Sequence, residues 1–197
     1  MKSNEKIKIL TDGVFCIENF LFPETCDFLV SIFSDKDLNK SDKDAVFGAF
    51  GQGEHESFNI SGTEKIVVKT DVNKKIGIDF FTGILTNIEK TTSEIFNKNL
   101  LLKSYFYSHM KKGGKNELHV DNYNKKYAND YSVILYLTDS YSGGELNFPK
   151  RKLNIKPKPG TLIAFVGTKD LAHEVKEVID GDRVNLICFL NNKERSA

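Results

Sequence analysis

The chain reads as an α+β protein with a mainly β core, a sandwich or jelly roll supported by N-terminal helices. Three observations carry this reading. Apolar residues recur at helical spacing twice, both times in the first half of the chain. From Leu101 onward about eight short apolar runs alternate with Gly and Pro punctuation. At 197 residues the chain is long enough for one sizeable core, so residues 1–197 form a single domain, with 1–100 as a helical support region and 101–191 as the β core.

Taken in order, Val14 to Phe20 is a short strand, and Pro23 suits the first turn of a helix. Phe28, Leu29, Ile32 and Phe33 give that helix its apolar face. Asp35 to Asp44 is a charged, solvated connection. Gly48, Gly51 and Gly53 make the next stretch pliable, either a flap over a site or a plain surface loop, and His55 within it reads as exposed. A second helix spans Asp71 to Asn97, with Asp71 as its cap and Ile76, Phe80, Ile84 and Ile88 as its buried stripe, extended by Ile95 and Phe96. The strands follow: Leu101 to Met110, Glu117 to Asp121, Tyr131 to Thr138, Leu146 to Phe148, Leu153 to Ile155, Leu162 to Val166, His173 to Val178 and Arg183 to Leu190. Gly113-Gly114, Gly143-Gly144 and Pro157 to Gly160 break them.

Composition narrows the function classes. Hydrophobic residues make up 40% and charged residues 28%, the balance of a water-soluble globular domain. A net charge of +1 supplies no field that would demand nucleic acid or a membrane surface. No apolar run is long enough to cross a bilayer, and the N-terminus leads into too few apolar residues for a signal peptide. Cys16, Cys26 and Cys188 are odd in number and scattered, as expected of reduced, buried thiols in a cytoplasm. The lysines at 111, 112, 125, 126, 150, 152, 156 and 158, with Arg151, are spread over several loops and read as solvated faces.

The chemistry concentrates in His119-Val120-Asp121, His173 and Arg183. Two imidazoles and one carboxylate leave half of an octahedral metal open, as oxygen chemistry at iron requires. His119 and Asp121, two positions apart, share a face if both lie on a strand. His173, far along the chain, must then come from a different strand facing the first across a pocket. Arg183 opens the apolar run Val184 to Leu190, in which no acid can meet its charge. A guanidinium there is expensive unless an anion binds it, and a dicarboxylate would do so bidentately.

These residues stand in a larger order. His119-Val120-Asp121-Asn122, Ile134-Leu135-Tyr136-Leu137, Gly143-Gly144-Glu145-Leu146, Pro159 to Phe165, His173-Glu174-Val175 and Arg183 together resemble the iron(II)/2-oxoglutarate-dependent oxygenases. Within them the chain is most similar to the prolyl-hydroxylase group, both hypoxia-sensing and collagen-type. The resemblance covers roughly the last 90 residues strongly. At the front, only Asn19-Phe20-Leu21 with Cys26 resembles the family's entry strand and helix.

The resemblance implies a double-stranded β-helix core and Fe(II) held by His119, Asp121 and His173. It also implies 2-oxoglutarate as cosubstrate, O2 as oxidant and ascorbate as a candidate reductant. Arg183 would grip the far carboxylate, assisted by Tyr136, and Asn185 shares the Arg183 face. The family places a tyrosine on the strand before the H-x-D motif. Those positions here hold His109 and Met110, so Tyr107 or His109 is expected to line that wall. The implied substrate is a prolyl residue of a protein or peptide. Alternatives are a small metabolite or free amino acid, or a non-catalytic sensor of iron and 2-oxoglutarate. Phe189-Leu190 occupies the stretch where alkyl-base demethylases carry a second arginine, which argues against a nucleic-acid substrate.

Overall fold

The central strands of the large sheet are buried on both faces, beneath helices on one and against a smaller sheet on the other, and this double coverage positions the site. The computed structural model describes residues 6–34, 55–60, 63–69, 79–121 and 129–193. The side chains of residues 6, 32–34, 55–60, 63–69 and 79–80 are outside that description. So are the expected connection at Asp35 to Asp44, the Gly48, Gly51 and Gly53 stretch, the Asp71 cap, Ile76 and the polar loop after Asp121.

Strands β1 (Lys6–Thr11) and β2 (Val14–Glu18) form a hairpin that leads into α1 (Pro23–Ser34). The backbones of β3 (His55–Ile60) and β4 (Thr63–Lys69) form a second hairpin, followed by α2 (Asp79–Phe96). Then come β5 (Leu100–Met110), β6 (Asn116–His119), β7 (Tyr131–Tyr136), β8 (Tyr141–Gly143), β9 (Leu146–Phe148), β10 (Leu153–Ile155), β11 (Leu162–Val166), β12 (His173–Val175), β13 (Val178–Gly181) and β14 (Arg183–Asn192). Eight strands order as β1-β2-β11-β7-β14-β5-β4-β3, four as β10-β9-β12-β6, and β13 pairs with β8. All pairings are antiparallel. The mainly β core with supporting helices, a double-stranded β-helix, is the expected fold.

The support region is not simply helical. It adds two hairpins to the edges of the large sheet, one at each side. Helix α2 is seen only from Asp79, eight residues after the expected start. Its buried face is Phe81, Ile84, Leu85 and Ile88. On α1, Cys26 and Leu29 are buried, whereas Phe28, expected on the apolar face, is 51% exposed. The expected strand from His173 to Val178 is two, β12 and β13, and β8 occupies what reads as a turn around Gly143.

Period-two alternation then sorts the side chains. Val133 and Leu135 of β7, Leu162 and Ala164 of β11, and Val184, Leu186, Cys188 and Leu190 of β14 pack beneath the helices. Ile134 and Tyr136, Ile163 and Phe165, and Ile187 face the smaller sheet, where they meet Leu146 and Phe148 of β9 and Val175 of β12. The site opens within this second layer.

Candidate metal centre

His119 is the last residue of β6, and Asp121 follows just beyond the strand's end. His173 opens β12, which is the direct antiparallel neighbour of β6, and His173 pairs in register with His119. The expectation that His173 faces the first histidine across a pocket is therefore corrected: the two imidazoles sit side by side on adjacent strands, ring centroids 4.4 Å apart. A cross-strand pair achieves what distance along the chain hides. The ligand atoms of His119, Asp121 and His173 all lie within 4.8 Å of one another. Nε2 of His119 is 3.4 Å from Oδ1 of Asp121, and Nε2 of His173 is 3.6 Å from Oδ2.

Each ring nitrogen on the far side is accounted for. Nδ1 of His119 is 2.7 Å from the Glu117 carbonyl, and Nδ1 of His173 is 3.2 Å from the Leu171 carbonyl. A carbonyl only accepts, so Nδ1 donates in both rings and Nε2 is the atom turned toward Asp121. Burial holds His173 below the ordinary histidine range, against the opposing pull of Asp121. Burial alone would raise Asp121. The hydrogen bond from His119, the charge of His173 and the Ser132 hydroxyl outweigh it and hold the carboxyl below its usual range. The three side chains thus turn two Nε2 atoms and a carboxylate toward one point, the donor set that a divalent cation takes once it displaces the imidazole protons.

The three residues line a cavity of about 280 Å³, together with Phe106, Ile134, Phe165, Ile187, Phe189 and Arg183. The cavity has a direction. The His119 side chain is 39% exposed, while Arg183 is 1% exposed. Arg183 finds no carboxylate partner among the described residues. Its Nε donates to the Gly144 carbonyl at 2.9 Å and its Nη2 to the Tyr136 hydroxyl at 3.2 Å, and Nη1 lies 3.8 Å from the Met110 sulfur. With its amide turned to suit both neighbours, Asn185 accepts from Nη1 at 2.5 Å and donates to the Val184 carbonyl at 3.1 Å. Each of these partners is neutral. Burial pushes the Tyr136 and Tyr141 phenols up despite the nearby Arg183, so both keep their protons and can donate. Tyr141 itself lies against Gly144 and beside Arg183, and its hydroxyl, like that of Ser108, makes no full hydrogen bond among the described residues.

Two expected lining residues are placed elsewhere. Tyr107 points to the helix side of the sheet, into the core with Tyr105 and Leu186. His109 shares that orientation and binds Asp182 at 2.7 Å. The wall beside Arg183 is instead built by Phe106 and Met110, on the opposite face of β5. Reasoning from sequence also passed over Ser132. Its signal was a lone serine inside the otherwise apolar and aromatic run Tyr131 to Tyr136.

Comparison with known proteins agrees with this architecture. Residues 105–191 match the family model of the 2OG-Fe(II) oxygenase superfamily. Prolyl 3-hydroxylase 2 of Homo sapiens is 39% identical over 59 residues, which cover 27% of this chain and only 8% of that protein's length. Among solved structures, a viral collagen prolyl hydroxylase from Paramecium Bursaria Chlorella virus-1 superposes with a TM-score of 0.62 at 19% identity, over 92% of this chain and 98% of that one. A prolyl-4-hydroxylase from Pseudomonas putida gives 0.61 at 16% identity, over 92% and 93%. A prolyl hydroxylase from Trichoplax adhaerens, solved with a hypoxia inducible factor peptide fragment, gives 0.63 at 21% identity, over 93% and 86%.

Proposed function

From the match of residues 105–191 to the 2OG-Fe(II) oxygenase superfamily, we propose that this chain is a member of it, an Fe(II)- and 2-oxoglutarate-dependent dioxygenase that hydroxylates a prolyl residue in a protein or peptide. One observation carries the proposal. A two-histidine, one-carboxylate cluster and a buried arginine with no acid beside it among the described residues share a single cavity. The donor set suits a ferrous ion with open positions, and the charge at the base asks for an anion of the right reach.

Iron(II) with 2-oxoglutarate and O2 supplies the oxidising power for C–H hydroxylation, leaving succinate and carbon dioxide. The chain supplies the rest. His119, Asp121 and His173 would hold the metal, with Nδ1 of each imidazole tied to a backbone carbonyl so that neither ring turns. Arg183 and Tyr136 would hold the far carboxylate, with Asn185 steadying the guanidinium. Phe106, Ile134, Phe165, Ile187 and Phe189 wall the cavity with apolar surface that keeps water from the reacting centre.

The prolyl substrate rests on the likeness to prolyl hydroxylases, one of them solved with a peptide. The three cysteines are free and buried, which supports a reducing, cytoplasmic setting. Among the described residues no helix is long and apolar enough to cross a membrane.

The test is incubation with Fe(II), 2-oxoglutarate and a library of proline-containing peptides, read by mass spectrometry and by succinate release. One added oxygen on a prolyl residue, lost in His119→Ala and Asp121→Ala, is the expected result. Hydroxylation of a free amino acid instead would replace the substrate class. Succinate release at background with every substrate would overturn the enzyme reading.

A further inference from the structure

Asp121 is the least anchored member of the cluster, because it lies past the end of β6 where no strand ladder fixes its backbone. One side chain fixes its carboxylate from outside. The Ser132 hydroxyl donates to Oδ2 of Asp121 at 2.5 Å. Ser132 sits on β7, in the middle of the large sheet, paired with Phe165 of β11 on one side and Phe189 of β14 on the other. It is 1% exposed, and among the described residues Asp121 is its one side-chain partner. A hydroxyl this deep in an apolar wall is destabilising unless it is bonded, and a charge-assisted bond to a carboxylate is the strong kind.

We propose that Ser132 is a positioning residue that commits Asp121 to bind the metal through one oxygen. The inference rests on the metal-centre reading given above. The hydroxyl occupies Oδ2, leaving Oδ1, 3.4 Å from Nε2 of His119, to turn toward the cation. Without it, Oδ2 is free to swing inward as a second oxygen ligand, or the whole carboxylate is free to leave. Either outcome disturbs the positions that a chelating keto acid and O2 require. Ser132 thereby transfers the rigidity of the central sheet to a ligand that its own strand cannot hold.

The test uses the metal-free full chain titrated with Co(II), whose visible absorption reports affinity and coordination number without turnover. Wild type is expected to bind and to lose binding in His119→Ala. Ser132→Ala is expected to bind Co(II) on the order of 10–100-fold more weakly and to change the intensity of the visible bands. Ser132→Thr keeps the hydroxyl and is expected to restore both, whereas Ser132→Val, its near-isostere, is not. That pair decides the matter even if the alanine variant folds poorly. If Ser132→Ala or Ser132→Val matches wild type within about threefold and with the same bands, the positioning role is overturned while the metal site stands. If wild type itself binds no Co(II), the metal-centre reading falls and this proposal with it.

Discussion

Arg183 shows at a single residue how an unmet need in the fold points to a ligand. A guanidinium at 1% exposure, contacted by a backbone carbonyl, a phenol, an amide and a thioether, is a charge without a counter-charge among the described residues. Arg183→Met is therefore expected to raise the 2-oxoglutarate concentration needed for half-maximal succinate release by about 10–100-fold, the worth of a charge-assisted pair. The rate at saturation should change far less, and an unchanged requirement would remove the anion-binding role. His173 makes a second prediction at this scale. Its folded pKa lies below the ordinary 6.5 because it is buried. The unfolded chain thus takes up the proton first on acidification. The stability this imidazole contributes is complete above that value and is lost as the pH falls through the depressed folded pKa. Asp121 acts with the same sign, from 3.8 downward. Metal-free wild type should accordingly lose more melting temperature than His173→Asn between about pH 7.5 and about pH 5.5. Equal losses would mean that this imidazole titrates as it does in the unfolded chain.

Elements set the approach of these residues, and Gly144 between β8 and β9 is the glycine packed against Arg183. Its φ is +67°, and an added Cβ would lie 3.0 Å from Cδ of Arg183 and 3.1 Å from the Tyr141 ring. Gly144→Ala is expected to cost about 1–2 kcal/mol for the left-handed backbone and to displace Arg183 as well, raising the 2-oxoglutarate requirement. Gly83 in α2 is the contrast: nothing lies within 4 Å of its would-be Cβ. Gly83→Ala should stabilise the protein by about 0.5–1 kcal/mol with no kinetic effect. Thermal melts and 2-oxoglutarate titrations of the two variants check the contrast directly. The same scale explains what the sequence could and could not yield. The H-x-D triplet, His173 and Arg183 were legible because their chemistry is costly anywhere but at a site. Alternation along β5 was legible too, yet it gives two faces without saying which one lines the cavity. With helices on one side and a second sheet on the other, both faces are apolar, so Tyr107 and His109 were assigned to the wrong one. Edge strand β1 was not assigned, because six residues alternating lysine with isoleucine are a short signal with no turn chemistry before them.

At the scale of the whole molecule, the large sheet separates two cores with different tasks. Ile88 of α2 is fully buried in the layer beneath the helices, on the face of the sheet away from the cavity. Phe165 of β11 is equally buried on the other face, its ring centroid 4.7 Å from that of His173. Both truncations to alanine remove large apolar surface, and each should cost about 2–5 kcal/mol of unfolding free energy. Their effects on the site should differ. Ile88→Ala leaves the cavity wall and every partner of the histidines in place, so below its melting temperature it should bind Co(II) like wild type. Phe165→Ala opens space beside His173 and lets the ring turn, so its metal affinity should fall along with its stability. Co(II) titrations of both variants at a temperature where each is folded, alongside denaturant unfolding, separate the two outcomes. Equal losses of affinity would mean that the sheet transmits damage from one layer to the other, and the division of the molecule into a supporting core and a chemical core would have to be given up.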